Sequence, residues 1–218
     1  MKLKTIALSV ILILMATVPG EGQATRTFYE VKGLPDPEEP SSFDFTAAGA
    51  SFHISDEGKG SMKIGDREFR FFDLHLSRNE HLVRAIYHAD YHEDLLLLGE
   101  VSDSEYGSGF LSRLDTKTSR LKWTRSLAGF NVGPGLVDDK YAYVTAIGFI
   151  GKINLESGAY VWRHSDLYER YKKAFNSFVL PEVRANSVVF RESPDYLRTR
   201  VAVIIVDRTN GKVLKVNL

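Results

Sequence analysis

From Phe43 onward the chain is written in short runs in which apolar and polar positions alternate. SFHIS, EFRFF, DLLLLGEV, GFLSRL, RLKW, KYAYVTAI, FIGKI, AYVW, SVVFRE, VAVIIV and KVLKV are each four to eight residues long. They are rich in Val, Ile, Leu, Tyr and Phe, and turn residues separate them, so they predict short strands in an all-β meander. One segment breaks the pattern. SDLYERYKKAF, residues 165–175, places Leu167, Tyr168, Tyr171 and Phe175 on one helical stripe, with Ser165 or Asp166 in position to cap it. A single short amphipathic helix, inserted between two β units, is expected there. Residues 25–42 include GLPDPEEPSS, whose prolines and acids suit neither strand nor helix. They predict an extended N-terminal arm ahead of a folded domain over residues 43–218.

The runs also repeat. FLSRLDTKTSRLKW (110–123), FIGKINLESGAYVW (149–162) and AVIIVDRTNGKVLK (202–215) align on Asp115, Asn154 and Asp207. Apolar Leu114, Ile153 and Val206 stand one before these anchors, and Phe110, Phe149 and Ala202 stand five before, on the same strand face. Four after come Ser119, Gly158 and Gly211; eight after come Trp123, Trp162 and Lys215. An Asp or Asn opening a turn accepts a backbone N–H two residues on, and a glycine in the turn takes positive φ. Each phrase therefore reads as strand, tight turn, strand, with Trp123 or Trp162 as a bulky packing knob. A second hairpin precedes each phrase, at residues 88–101, 134–144 and 181–191, making a unit of four strands. An eroded copy, FRFFDLHLSRNEHL, adds an anchor at Asp73, with Ser77 and His81 in the later positions. The anchors then lie 42, 39 and 53 residues apart, and the longest interval holds the helix.

RLDTKTSRLKW and KINLESGAYVW resemble the blade signature of the PQQ-like, quinoprotein-type β-propeller repeat family. The resemblance covers residues 85–218 clearly and 43–84 weakly. It implies three to four propeller-like four-stranded antiparallel units, with Trp123 and Trp162 locking blade to blade, and Lys215 departing from the pattern as terminal repeats do. Members usually close with seven or eight blades; this chain has room for about four, as a small ring or an open arc. An arc leaves a sheet edge to be covered, by the arm or by a partner.

At the start of the chain Lys2 and Lys4 precede the apolar run TIALSVILILMATV, and Gly22 and Ala24 follow. This predicts a secretory signal over residues 1–24, cleaved near Ala24, and too short to remain as a membrane span. Without it the chain has 194 residues carrying 26 basic and 27 acidic side chains, net −1. Such a balance gives no long-range attraction to nucleic acid. There are no cysteines, so no disulfide or lipid-anchoring thiol is expected, and 44% hydrophobic residues must supply the core. An extracytoplasmic bacterial location, periplasmic or secreted, follows.

Catalytic chemistry finds little purchase. The quinoprotein dehydrogenases of the resembled family are much longer, and many use a vicinal cysteine pair that this chain lacks, so no cofactor is expected. His75, His81, His88 and His92 crowd together, and His88 and His92 would share a metal ion only if that stretch were helical; at a hairpin turn they face water. The acid pairs Glu38–Glu39 and Asp138–Asp139 fall in loops or turns. No GxSxG, HExxH or phosphate-binding loop occurs. The expected function is non-catalytic protein binding in the envelope, as a scaffold or a toxin-neutralising immunity protein, with the propeller subunit of the outer-membrane assembly machine as an analogy of fold only. The stripe Leu167, Tyr168, Tyr171, Phe175 either packs on its own sheet or meets the partner. The alternative is a small hydrolase or carbohydrate-active propeller.

Overall fold

The computed structural model describes residues 25–36, 39, 41–47, 49–70, 82–102, 107–194 and 200–218; the expected leader, 1–24, lies outside them. Two short strands come first, β1 (Arg26–Thr27) and β2 (Tyr29–Glu30). Four antiparallel meanders of four strands follow. Sheet 1 holds β3 (Phe43–Ala47), β4 (Ala50–Ile54), β5 (Gly60–Ile64) and β6 (Arg67–Arg70). Sheet 2 holds β7 (Leu82–Tyr91), β8 (Asp94–Ser102), β9 (Gly107–Asp115) and β10 (Arg120–Leu127). Sheet 3 holds β11 (Leu136–Asp138), β12 (Tyr141–Ala146), β13 (Phe149–Asn154) and β14 (Tyr160–His164). Sheet 4 holds β15 (Glu182–Val183), β16 (Ser187–Arg191), β17 (Val203–Asp207) and β18 (Val213–Asn217). Helix α1 (Leu167–Tyr171) lies between sheets 3 and 4. The all-β, four-stranded, propeller-like organisation with one inserted helix is thus the observed one.

The sheets stack in chain order, and the stacking explains the one run that does not alternate. In β8 the leucines are buried on both faces. Leu95 and Leu97 pack with Phe52, Ile54, Met62 and Ile64 of sheet 1. Leu96 and Leu98 pack with Val137, Ala142, Val144 and Phe149 of sheet 3. A strand with a neighbour on each side needs apolar residues at every position, because successive side chains point to opposite faces. The third joint sets Tyr143, Ile150 and Trp162 against Val188, Phe190, Ile204 and Val206. Among the described residues each apolar core cluster joins sheets adjacent in sequence, and none joins sheet 4 to sheet 1. Sheet 1 turns its other face to solvent with two cross-strand rows, Asp44–His53–Ser61–Arg70 and Thr46–Ser51–Lys63–Glu68. A polar outer face on a terminal unit is the usual way a stacked repeat ends.

The arm does not hang free. Strand β1 pairs with β11 (Arg26 opposite Val137, Thr27 opposite Leu136), and β2 pairs with β7 (Tyr29 opposite His88, Glu30 opposite Tyr87). Only Phe28 separates the two pairings, so the first strands of sheets 2 and 3 converge on one axis and the arm zips along both. It covers the β7 edge of sheet 2 and the β11 edge of sheet 3.

Two expectations need correction. Among the described residues sheet 1 already has four strands by Arg70, and the hairpin of its last two turns at Gly65–Asp66. The closing hairpin is therefore not the copy anchored at Asp73. A two-residue Gly-Asp turn with Gly65 at φ +59 fixes that earlier register, and Phe69 supplies the buried position. Residues 71–81, including Asp73, Ser77, His75 and His81, lie outside the described residues. The helix is also shorter than residues 165–175. It stops where Lys172 turns left-handed, at φ +49. Five residues cannot sustain a helix alone, so packing decides where it ends. The buried Glu192 carboxylate holds the next residues, accepting from Asn176 N at 2.6 Å and pairing with Lys173.

Candidate functional site

The repeated hairpins are the most elaborately built feature of the chain. In each, the anchor oxygen accepts two backbone N–H groups. Asp115 Oδ1 takes Lys117 and Thr118 at 3.0 and 2.8 Å, Asn154 Oδ1 takes Glu156 and Ser157 at 2.9 and 3.1 Å, and Asp207 Oδ1 takes Thr209 and Asn210 at 2.9 and 3.0 Å. These bonds hold the Asp115 and Asp207 carboxyls below their ordinary range. The residue four on has positive φ in all three, at +51 for Ser119, +68 for Gly158 and +75 for Gly211. Each returning strand then carries a bulge, so that Trp123, Trp162 and Lys215 stand opposite Arg113, Lys152 and Ile205, two before the anchors.

The bulge aims the knob at the next sheet. The Trp123 indole lies on Gly158, where an added Cβ would come within 2.6 Å of it, and the Trp162 indole lies on Gly211, with 2.5 Å left for a Cβ. Trp123 Nε1 donates to the Leu155 carbonyl at 3.0 Å, and Arg113 Nη1 donates to the same oxygen at 2.8 Å. One joint further on, Trp162 Nε1 and Lys152 Nζ donate to the Arg208 carbonyl at 3.4 and 2.8 Å. The latch is the same in both: indole, cation, and the carbonyl that follows the next anchor. Trp123 thus reaches from sheet 2 to sheet 3, and Trp162 from sheet 3 to sheet 4. The cation escaped the sequence reading, although the signal was present: a basic residue two before the anchor accompanies Trp in RLD and KIN, and Ile205 stands there where Lys215 replaces Trp.

The buried carboxylates and cations are spent on this scaffold. Arg113 lies against the Tyr91 ring and pairs with Asp94 and Glu156. Burial pushes the Tyr91 phenol up, and its hydrogen bond to Glu156 adds to that. Arg113 and Tyr91 together hold Glu156 below the usual carboxylate range. Asp138 pairs with Arg208, and Glu100 accepts from Val132 N at 3.0 Å. Burial, with Arg208 nearby, holds the Lys152 ammonium below its ordinary value. Burial pushes Tyr143 up to about 12, although Arg208 beside it acts the other way.

Of the residues expected at a partner surface, Leu167 is 0% and Phe175 5% exposed, both inside the joint between sheets 3 and 4, and Tyr171 packs half-buried against the same cluster. Tyr168 alone stands out, at 56% exposure. It borders an open hollow of about 310 Å³ floored by Ala128, Gly129, Ile147 and Gly148. His88 lies in strand β7 with its ring against Tyr29, and His92 forms the β7–β8 turn at φ +55, with its ring edge on Tyr91. Strand and turn, rather than helix, keep those two imidazoles apart. Among the described residues no group of three or more His, Asp or Glu is placed to hold a metal ion.

One arrangement with hydrolase residue types lies on the free face of sheet 1. Asp44 Oδ1 is 2.8 Å from His53 Nδ1, and Ser61 is the cross-strand neighbour of His53. His53 makes no hydrogen bond to Ser61, the side chains of His53 and Asp44 are 52% and 78% exposed, and all three lie on one sheet face.

No family model matches the sequence, and no curated protein matches it. Among solved structures, Drosophila Plexin A, solved in complex with Semaphorin 1b, aligns at 16% identity and TM-score 0.36, over 90% of this chain and 43% of that one. The chain thus spans less than half the length of that Plexin A chain. The computationally designed Ika8 protein aligns at 8% identity and TM-score 0.20, over 82% of this chain and 87% of that one. The class rests on the sheets themselves: this is an all-β, propeller-like protein of four stacked antiparallel units.

Proposed function

We propose that the chain is a non-catalytic protein-binding module of the bacterial envelope, built on PQQ-like propeller repeats and acting as an envelope scaffold or a toxin-neutralising immunity protein. One observation carries the reading. Asp94, Glu100, Arg113, Asp138, Lys152 and Glu192, the buried carboxylates, lysine and arginine among the described residues, are each tied into a structural contact. General acid–base or nucleophilic catalysis needs such a group directed at substrate. What stays available is loop and edge surface on a rigid frame, the usual seat of binding. Phe130 in the sheet 2–3 connection, and Tyr168 of α1 with Leu180 in the sheet 3–4 connection, are exposed large apolar groups there. The test is cross-linking of the tagged chain in its native envelope, followed by reconstitution of the captured protein with the purified chain. A one-to-one complex on gel filtration is expected. A chain that assembles with nothing and turns over an ester, peptide or glycan would overturn the reading.

The second reading, a small hydrolase, is favoured by the Asp44–His53–Ser61 row. It requires that Ser61→Ala abolish the hydrolysis of p-nitrophenyl acetate by the purified chain. Under the binding reading, Ser61→Ala leaves both that background rate and complex formation unchanged.

A further inference from the structure

The arm is held the way a bound peptide is held. Of residues 26–30, only Phe28 is buried; Arg26, Thr27, Tyr29 and Glu30 are exposed. Backbone bonds supply the rest. Phe28 N donates to Gly135 O at 3.1 Å, and Val31 N donates to Ile86 O at 2.9 Å, in addition to the short ladders on β11 and β7. The Phe28 pocket is made by a missing side chain: a Cβ on Gly135 would come within 2.8 Å of the Phe28 ring and 2.9 Å of Leu98. Tyr29 adds a ring contact to His88 at 5.7 Å between centroids. One aromatic anchor in a preformed pocket, extended backbone on two sheet edges and solvent-facing flanks are the features of strand-addition recognition. Two pairings of two residues each are also too short to be stable by themselves.

The geometry points to the groove between β7 and β11 as a receptor for an extended, Phe-centred peptide segment, with the chain's own arm as its resident and exchangeable ligand. This rests on the protein-binding reading and names its mode: a partner's strand takes the arm's place. The ligand class is defined by the contacts. The segment carries an aromatic residue at the position of Phe28, apolar residues three and six further on, where Val31 and Leu34 meet the cluster of sheets 1 and 2, and a free N–H at the first two of these, hence no proline at either; the positions of Arg26, Thr27 and Glu30 are tolerant. An aromatic residue directly after the anchor finds His88.

The probe is a fluorescein-labelled synthetic peptide of residues 25–34, TRTFYEVKGL, with a control in which its phenylalanine is alanine. Anisotropy is read with the full chain and with its Phe28→Ala variant, whose arm has lost the anchor. The variant is expected to bind the native peptide at least tenfold more tightly than it binds the control, and at least tenfold more tightly than the unsubstituted chain does. A folded variant that binds neither peptide, or both alike, overturns the proposal. Should Phe28→Ala fail to fold, hydrogen exchange on the unsubstituted chain decides. Phe28 and Val31 amides exchanging at least a hundredfold faster than those of β8 support a separable arm, and equal rates overturn it. A reconstituted partner complex that excess peptide does not compete would also remove the proposal while leaving the broader binding function standing.

Discussion

At Gly158 and Gly211 two requirements meet in one residue. The backbone is left-handed there, which costs any residue with a Cβ about 1–2 kcal/mol, and an indole from the preceding sheet occupies the space where the Cβ would go. Gly158→Ala is therefore expected to lose roughly 2 kcal/mol or more of unfolding free energy in urea; a loss under about 0.5 kcal/mol would show that the indole moves aside freely. Ser119 tolerates the same φ for a different reason. No tryptophan meets it, and its hydroxyl donates to Ile64 O of sheet 1 at 2.8 Å while Arg67 donates to its carbonyl at 2.6 Å. The first joint thus replaces a stacked ring with two hydrogen bonds. Trp123 carries both stacking and a donor, so Trp123→Ala is expected to cost about 3–4 kcal/mol. Trp123→Phe should recover part of that loss, and no recovery would assign the whole effect to the Leu155 hydrogen bond.

Among the elements, the helix and the segment after it depend on tertiary partners. Asp166 stands at the N-cap but makes no side-chain cap bond; its carboxylate pairs with Arg170 instead. Glu192 is the fixed point. Its burial raises its pKa, and the Lys173 ammonium with the backbone N–H groups of Ala202 and Asn176 outweighs burial, so the net shift is downward. A carboxyl lowered on folding stabilises the native state above its unfolded value, near 4.5, and that contribution is lost as pH falls through the lower native value. Between pH 6 and pH 3 the melting temperature of the unsubstituted chain should therefore drop by more than that of Glu192→Gln, which has no proton to take up at that site. Parallel curves would place the acid sensitivity elsewhere. The hairpin elements were legible because Asx residues, glycines and alternation act locally. Helix length was not, because Leu167, Tyr171 and Phe175 obey the same i, i+4 pattern whether the chain along them is helical throughout or turns at Lys172.

At the scale of the whole molecule, contacts run mainly between sequence neighbours, with the arm as the exception. It ties sheets 2 and 3 through β1 and β2, and its Val31 and Leu34 pack into the cluster shared by sheets 1 and 2. Sheet 4 is attached to the body through its joint with sheet 3. Stacks of this kind open from their less restrained end. Native-state hydrogen exchange should find the amides of β16 and β17 released at lower denaturant than those of β8 and β9; simultaneous release would mean that the four sheets form one cooperative body.

The sequence by itself determined the strands, the three Asx turns and the knobs, since each depends on residues within about a dozen positions of one another; it left the unit count at three to four, because the first unit lacks the Asx turn that marks the others. It marked the buried helix residues only as a stripe, and left open whether they faced a sheet or a partner. The tertiary structure decided what each feature meets. It directed Trp123 and Trp162 onto glycines of the following sheet, gave Arg113 and Lys152 a carbonyl to share with them, ended sheet 1 on a polar face, and seated Phe28 between two sheet edges. Those outcomes depend on residues tens of positions apart arriving at one place. Local alternation and turn chemistry carry no information about that, and the stacking of one sheet upon the next supplies it.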